Sequence, residues 1–597
     1  MSLERVASPP SDWSSWVSAS ATRNHVLGDP VLDWLEAHGA QHGFVRDREI
    51  EGFDPRTDFT EFIFGQGNGF EAAVLKHLAP LASVRRIADD YSAIRTVEAV
   101  TATFEAMREG VEIVNQGVLW DPEHGTYGAP DLLVRADTLN RLFPGTMPEH
   151  EAILPAPDLG TAWHYRVVDV KFTTLHLLAG GDLGNSGSAP AYKCQLFVYN
   201  RALALLQGYE PPRAYLLGRA WEHQKERGFS CMERLAPVTM AGSLAKQRPI
   251  SSAVLAACDW VRAVRREGAE WALLPQPTRP ELYPNFSNQQ DGPWHAAKRR
   301  IASELEDLTM LWNVGVPGRE AGHAQGIFRW TDPLVNPAVV GVTGEKRAPV
   351  LQALLDINRS SDGPNVLPAR ITQVDEAWRD TSGLDFYVDF ETVSDLADDF
   401  AQIPRKGGQP LIFMIGCGHI EDGAWQFSCF VADSLTEESE ARVINDWLSH
   451  MTAVEARLGA GARSRVIHWS PAEETTFETA YNSAAVRHRD EQWPSPNWFD
   501  FLNNVVKAEP VVVRGAMAFG LKAVGRALHR HGCVETLWAD GPTDGLGAMV
   551  GAWWAYGEAS RTGSAVRDVD MMRQIVAYNE VDCQLMREAV DYFRRAH

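Results

Sequence analysis

Apolar and polar residues alternate with the period of a strand in several short stretches, and acids fill polar positions in three of them. In Tyr387-Val388-Asp389-Phe390-Glu391, successive side chains point to opposite faces, so Asp389 and Glu391 share one. Tyr165-Arg166-Val167-Val168-Asp169-Val170-Lys171-Phe172 puts Asp169 and Lys171 on one face by the same rule. Gly128-Ala129-Pro130-Asp131-Leu132-Leu133-Val134 reads as a further short strand with one acid. Leu411 to Gly418 and Trp425 to Val431 read as two more strands. Helical spacing marks other stretches. Tyr578 and Asp582 lie one turn apart on a shared face, as do Gln195 and Tyr199 on a helix running to about Gln207. Glu437 to Met451 and Pro30 to His38 read as helices, and Gly69-Phe70-Glu71 opens one that runs to His77.

These elements predict four blocks: an N-terminal extension (1–55), a first α/β module (56–230), a mostly helical connecting region (231–375) and a second α/β module (376–597). An insertion carrying Pro144, Pro148, Pro155 and Pro157 separates the two acidic strands of the first module. The loop from Gly180 to Ser188 precedes the Gln195 helix, as a flap that grips a strand or as a plain surface loop. In the connecting region, Leu308 to Trp330 reads helix, turn, helix. Val314 to Gly318 would form either a helix-hairpin-helix turn that meets phosphates or a packing hairpin. There are no internal repeats.

The acids define the chemistry. Asp389, Glu391, Asp582 and the Tyr578 phenol cannot be buried together without counter-charge. Mg2+ or Mn2+ supplies it, because hard dications favour carboxylate oxygens. Two such ions can activate a water and stabilise the leaving oxygen of a phosphodiester. In the first module a carboxylate at Asp169 can hold a metal, with the carbonyl of Val170 as a further ligand. Lys171 would orient or help deprotonate the attacking water.

The C-terminal motifs resemble the DEDD exonuclease superfamily in its tyrosine (DEDDy) form. Asp389-Phe390-Glu391 matches the first motif and Tyr578 to Asp582 the last. The family's middle His-Asn-x-x-x-Asp has its counterpart in His468-Trp469-Ser470-Pro471-Ala472-Glu473. Glu473 there takes the place of the acid, and Asp500 in Trp498-Phe499-Asp500-Phe501 competes for that role. The resemblance covers roughly residues 380 to 597 and implies 3′–5′ exonuclease activity, with Asp389, Glu391, Glu473 and Asp582 as metal ligands and Tyr578 as a catalytic residue. The order Glu71, Asp131, Asp169, Lys171, Gln195, Tyr199 resembles the RecB family of PD-(D/E)xK nucleases over roughly 60 to 220. It implies Glu71, Asp131 and Asp169 as metal ligands, Lys171 as catalytic, and Gln195 and Tyr199 beside the metal site and DNA. The whole architecture is similar to bacterial and archaeal RecB-like nucleases that join the two modules. Glu281 to Phe286 and Gly326 to Asp332 fit that likeness. The implied fold class is α/β multidomain, a restriction-endonuclease-like PD-(D/E)xK core plus a ribonuclease H-like mixed sheet flanked by helices. Relatives often carry a helicase. Here no Walker-type phosphate loop occurs, so a helicase would be a separate partner.

Composition narrows this picture. A length of 597 residues suits two to four domains. The hydrophobic fraction of 45% and charged fraction of 22% fit a soluble globular protein. No apolar run is long enough to span a membrane, and Met1 to Val6 lacks the pattern of a secretory leader. None of the 7 cysteines forms a Cys-x-x-Cys, which argues against structural zinc and a disulfide framework. The first cysteine is Cys194, which argues against the iron–sulfur variant of the RecB-like nucleases. A reduced, cytoplasmic protein is expected. The net charge of −22 disfavours indiscriminate coating of duplexes. The basic clusters Arg262–Arg266, Lys298–Arg300 and Arg526–His531 are candidate patches to guide a strand, though such clusters are more often solvated helix faces than phosphate grooves. Lys522, just after Gly520-Leu521, touches a phosphate or snorkels over apolar surface. The expected function is metal-dependent hydrolysis of DNA. The alternatives are an RNA nuclease, or a nucleic-acid-binding or scaffold protein with one decayed site, the C-terminal one being favoured for decay by Trp469 and Glu473.

Overall fold

A computed structural model describes residues 3, 6–90, 92–360, 362–401, 403, 410–459, 464–481, 487–538 and 545–597. Most of the segment read for a leader lies outside them. The chain divides into two compact units. One comprises Met1–Asp47, Ile63–Glu304 and Asp398–Gly407, and the other Arg48–Phe62, Leu305–Ala397 and Gly408–His597. The four expected blocks therefore become two. Residues 1–47 join the first unit through contacts distant in sequence. Trp34 is fully buried and donates its indole N–H to the Gly268 carbonyl at 2.8 Å. Trp260 donates to Asp33 at 3.0 Å. Lys298, 1% exposed, lies 3.0 Å from Asp29 and 2.6 Å from Asp291. This lysine is an interior strut rather than part of a solvated patch. Residues 305–375 instead pack into the second unit, where Val350, Leu354 and Ile357 meet Val512 and Val513.

The first unit is built on a seven-stranded sheet. Its strands are β1 (Val84–Arg86), β2 (Ile113–Asn115), β3 (Leu132–Arg135), β4 (Tyr165–Leu177), β5 (Arg213–His223), β6 (Glu226–Gly228) and β7 (Ala236–Thr239), in the order β7-β5-β4-β3-β2-β1, with β6 beside β5. Val167, Val168 and Val170 of β4 are buried, so this strand is covered on both faces. β4 runs parallel to β5 and antiparallel to β3. Helix α1 (Phe59–Leu78) turns Phe70, Val74 and Leu78 into the core beside Val168, Val170 and Leu217, the i, i+4, i+8 stripe of an amphipathic helix. Glu71 thus sits deep in a helix that begins twelve residues earlier, at Phe59, and not at a helix opening. A parallel strand pair needs a long crossover, and α2 (Ala189–Gln207) supplies it between β4 and β5. Gly208 ends α2 at φ +69°, a backbone conformation costly for residues with a Cβ. Helix α3 (Ile250–Glu267) follows. Its Arg262 and Arg265 donate to the backbone carbonyls of Ser14, Ser15, Trp16, His124 and Gly125, so this basic cluster staples the unit internally.

In the second unit the expected helix pair of residues 308–330 is a 3-10 turn (Leu308–Met310) and one helix, α4 (Val316–His323). Gly326 at φ +77° turns the chain, and Ile327 N–H closes on the Gly322 carbonyl. The sheet comprises β8 (Asp385–Val393), β9 (Leu411–Glu421), β10 (Ala424–Val431), β11 (Arg465–His468) and β12 (Trp498–Asp500) in the order β10-β9-β8-β11-β12. Only β9 runs against the other strands. Helix α5 (Glu437–Leu458) is capped by the Thr436 hydroxyl, carries three glutamates in its first turn and ends at Gly459 with φ +68°. Each of these features suits the helix termini. Then come α6 (Ala472–Tyr481), α7 (Leu521–Arg530), α8 (Gly545–Thr562) and α9 (Asp570–Ala596). Phe386 and Val388 of the central strand β8 lie in one core cluster, and Tyr387 lies in another with Leu585, Met586 and Val590 of α9. The side chains of β8 that share a face with Tyr387 are therefore those presented to α9. No helix among the described residues is long and apolar enough to cross a membrane.

Candidate metal centre and second acidic site

Asp389 and Glu391 share the α9 face of β8, and one turn of α9 carries Tyr578, Asn579 and Asp582 to them. Carboxylate oxygens of Asp389, Glu391 and Asp582 all lie within 4.8 Å of one another. The Tyr578 hydroxyl donates to Asp582, as the four-residue spacing requires. Glu391 and Asp582 are buried and Asp389 is half-buried. Burial is the largest push toward the protonated form at all three carboxyls, and neighbouring acids add to it. Glu391 rises to about 8, Asp582 rises to about 6 with Glu473 as the acid that opposes its ionisation, and Asp389 goes well above its ordinary value. Lys522 works against these shifts; its ammonium lies 4.7 Å from the centre of the Tyr578 ring. Burial and the same acids raise the Tyr578 phenol.

Glu473, 7% exposed at the start of α6, repels Asp389, Glu391 and Asp582. It lies outside the tight trio, with its Oε2 3.3 Å from His468 Nδ1. Asp500 is engaged elsewhere, accepting from Asn503 N at 2.9 Å and Asn503 Nδ2 at 2.6 Å. Of the two competing acids, Glu473 is the one that faces the trio. Trp469 turns away from it, donating to the Phe519 carbonyl at 2.9 Å and packing on Phe501.

Two partners of the trio carry no signal in the sequence pattern. Asn579 donates to Asp389 Oδ2 at 2.8 Å and also bonds Glu391. Trp538 donates its indole N–H to Asp582 Oδ1 at 2.9 Å. Asn579 reaches its place because β9 has Gly416 opposite Asp389, where a Cβ would stand 1.7 Å from Asn579 Oδ1. Gly416→Ala should displace Asn579 and cost about 1–3 kcal/mol as overpacking. Chemical denaturation measures that cost, and an unchanged midpoint would refute the close packing.

The second site lies in the first unit. Asp131 stands just ahead of β3, and its Oδ2 accepts from Val170 N at 2.7 Å. Lys171 Nζ lies 2.6 Å from Asp169 Oδ2 and 3.9 Å from Asp131 Oδ2. Burial works against the lysine charge, but Asp169 and Asp131 outweigh it and raise its pKa. Burial, Asp169 and Glu71 raise Asp131 well above the carboxylate range, against the pull of Lys171. Gln116, at φ +52°, donates one amide nitrogen to Glu71 at 2.8 Å and to Asp131 at 3.1 Å. That bridge joins the α1 acid to the strands. Gln195 Nε2 donates to the Tyr199 hydroxyl at 2.9 Å. Tyr199 fits against Gly128, where a Cβ would meet its ring at 2.5 Å. All six expected residues gather here. Among the described residues, however, Glu71, Asp131 and Asp169 do not close to the spacing of the Asp389 trio.

The raised acids make a pH prediction. A carboxyl raised on folding contributes stability that is fully present below its unfolded value and is lost as pH rises through its folded one. Glu391 moves from 4.5 to about 8. The metal-free protein should therefore lose thermal stability between about pH 5 and 8. Mn2+ affinity should rise over the same range, because binding releases protons. Melting curves and Mn2+ titrations at several pH values check both; a pH-independent affinity would contradict the raised acids. No protein-family model, curated protein or solved structure matches the chain.

Proposed function

We propose that this chain is a metal-dependent nuclease that hydrolyses phosphodiester bonds of DNA, trimming 3′ ends at the Asp389–Glu391–Asp582 site. The observation that carries this reading is the trio itself, three acids within 4.8 Å on the central strand and a facing helix. Its donors are all carboxylate oxygens, the set that Mg2+ and Mn2+ take. The mutual repulsion that raises their pKa values is what a dication removes. Bound there, a dication would neutralise charge developing on the phosphate and its leaving oxygen. Asn579 and Trp538 fix the rotamers of Asp389 and Asp582. Tyr578 holds its hydroxyl at the edge of the cluster, placed to orient an attacking water. The strand order β10-β9-β8-β11-β12 with one reversed strand supports a ribonuclease H-like fold for this unit.

The first unit is proposed as a RecB-like nuclease module. The ion pair of Lys171 with Asp169, beside Asp131 just ahead of the adjoining strand β3, supports that reading. There Lys171 would hold the attacking water, while Glu71, Asp131 and Asp169 would take a dication. Purified protein with Mn2+ and end-labelled single-stranded DNA, duplex DNA and RNA tests the proposal. DNA degradation that stops on chelation is expected; no degradation of any of the three would overturn it.

A further inference from the structure

We propose that α7 presents a cationic track along which an unpaired phosphodiester strand runs into the acid trio. The inference uses the nuclease reading only for what happens at the end of the track. Lys522, Arg526 and Arg530 recur every fourth residue of α7, which puts them on one side of the helix, rising about 6 Å per step. The opposite side holds the helix in place. Val524, Ala527 and Leu528 are buried, and Gly525 lies so close to α9 that a Cβ would stand 2.3 Å from Leu585. The row is therefore rigidly mounted.

Its first member stands at the trio, with Lys522 4.7 Å from the centre of the Tyr578 ring. Its second, Arg526, is exposed and lies 5.6 Å over the ring of Trp538, the same indole that bonds Asp582 at 2.9 Å. Its third, Arg530, is exposed and reaches over Gly515, where a Cβ would stand 2.5 Å from its guanidinium. The N-terminus of α7, capped at Gly520, adds positive potential at the Lys522 end. In a chain of net charge −22, a graded row of cations ending at clustered acids favours an extended polyanion. A strand with unpaired bases can also lay one on the half-buried Trp538 ring. Deoxyribose and ribose strands share the chemistry that the row recognises.

The test uses the full chain in buffer with EDTA. The probes are oligothymidylate and oligouridylate of about a dozen nucleotides, each with a photoreactive 4-thio base at the 3′ end. The adduct on the peptides holding Trp538 or Tyr578 is quantified against strand and salt concentration. The adduct is expected with at least one strand, and the two arms tell DNA from RNA. Each Arg→Gln change at Arg526 or Arg530 should make the log–log salt slope shallower by about 0.7, or about 1.4 for the pair. Arg526→Lys with Arg530→Lys should keep the wild-type slope. No adduct on those peptides, or an unchanged slope in the double Gln variant, would overturn the track. The nuclease reading is measured separately, as hydrolysis of the p-nitrophenyl ester of thymidine 5′-phosphate by wild-type protein with Mn2+. A slope change without hydrolysis leaves the track standing and counts against the nuclease. Hydrolysis with an unchanged slope does the reverse.

Discussion

Asp582→Asn should reduce 3′-end trimming by at least about a thousandfold, the ~4 kcal/mol expected when a cation loses a carboxylate that holds it. Two effects should accompany that loss. Mn2+ should bind more weakly, because one of three charges is gone. The metal-free protein should become more stable, because the remaining acids repel one another less. Tyr578→Phe should separate these effects. It removes only the hydroxyl that donates to Asp582, so turnover should fall about 10²–10⁴-fold with Mn2+ affinity nearly unchanged. Calorimetric titration with Mn2+, beside single-turnover rates, distinguishes the two roles. Equal metal affinity in both variants would contradict them, and a fully active Tyr578→Phe would make Tyr578 a packing residue.

Lys171→Ala should abolish cleavage at the first-unit site while the second-unit trimming continues. Two losses should accompany the change. The water-positioning ammonium is lost, costing about 10²–10⁴-fold in rate. Asp169, 2.6 Å from the missing Nζ, is then left buried without its partner, so a stability loss of about 3–5 kcal/mol accompanies the change. Lys171→Met keeps the aliphatic stem but not the charge, and shares that loss. Lys171→Arg keeps the charge, and its rate shows whether charge alone suffices. Measured with Asp389→Asn in the background, wild-type cleavage by Lys171→Ala would show that this strand is no catalytic site.

The parts of these sites legible in the sequence are those fixed by local periodicity. A two-residue step on a strand forces Asp389 and Glu391 onto one face, and a four-residue step on a helix does the same for Tyr578 and Asp582. That Glu71, Asp131, Asp169 and Lys171 meet is implied only by the resemblance to the RecB family, since no local period links them, and Gln116 and Lys171 join these acids in the structure. The remainder depends on tertiary packing. Gln116 bridges two acids only because its backbone adopts φ +52°, which no spacing rule signals. Asn579 takes its position from a missing Cβ at Gly416, 163 residues earlier in the chain. Asp500 competes with Glu473 in the sequence, and what separates them is Asn503, which donates to both oxygens of Asp500. Residues 1–47 are tied to residues 260–298 by indole and lysine bonds, links between an extension and a connecting region that no local composition signals.

The central claim is that the Asp389–Glu391–Asp582 trio binds a dication and breaks phosphodiester bonds. The most direct measurement is release of labelled mononucleotide from a 3′-labelled DNA strand with Mn2+, by wild-type protein and by Asp389→Asn combined with Glu391→Gln. The account predicts steady release by the wild type, abolished by EDTA, and at least about a thousandfold less from the variant at unchanged secondary structure. Equal release by both proteins, or none by the wild type with Mn2+ bound at the trio, would contradict it.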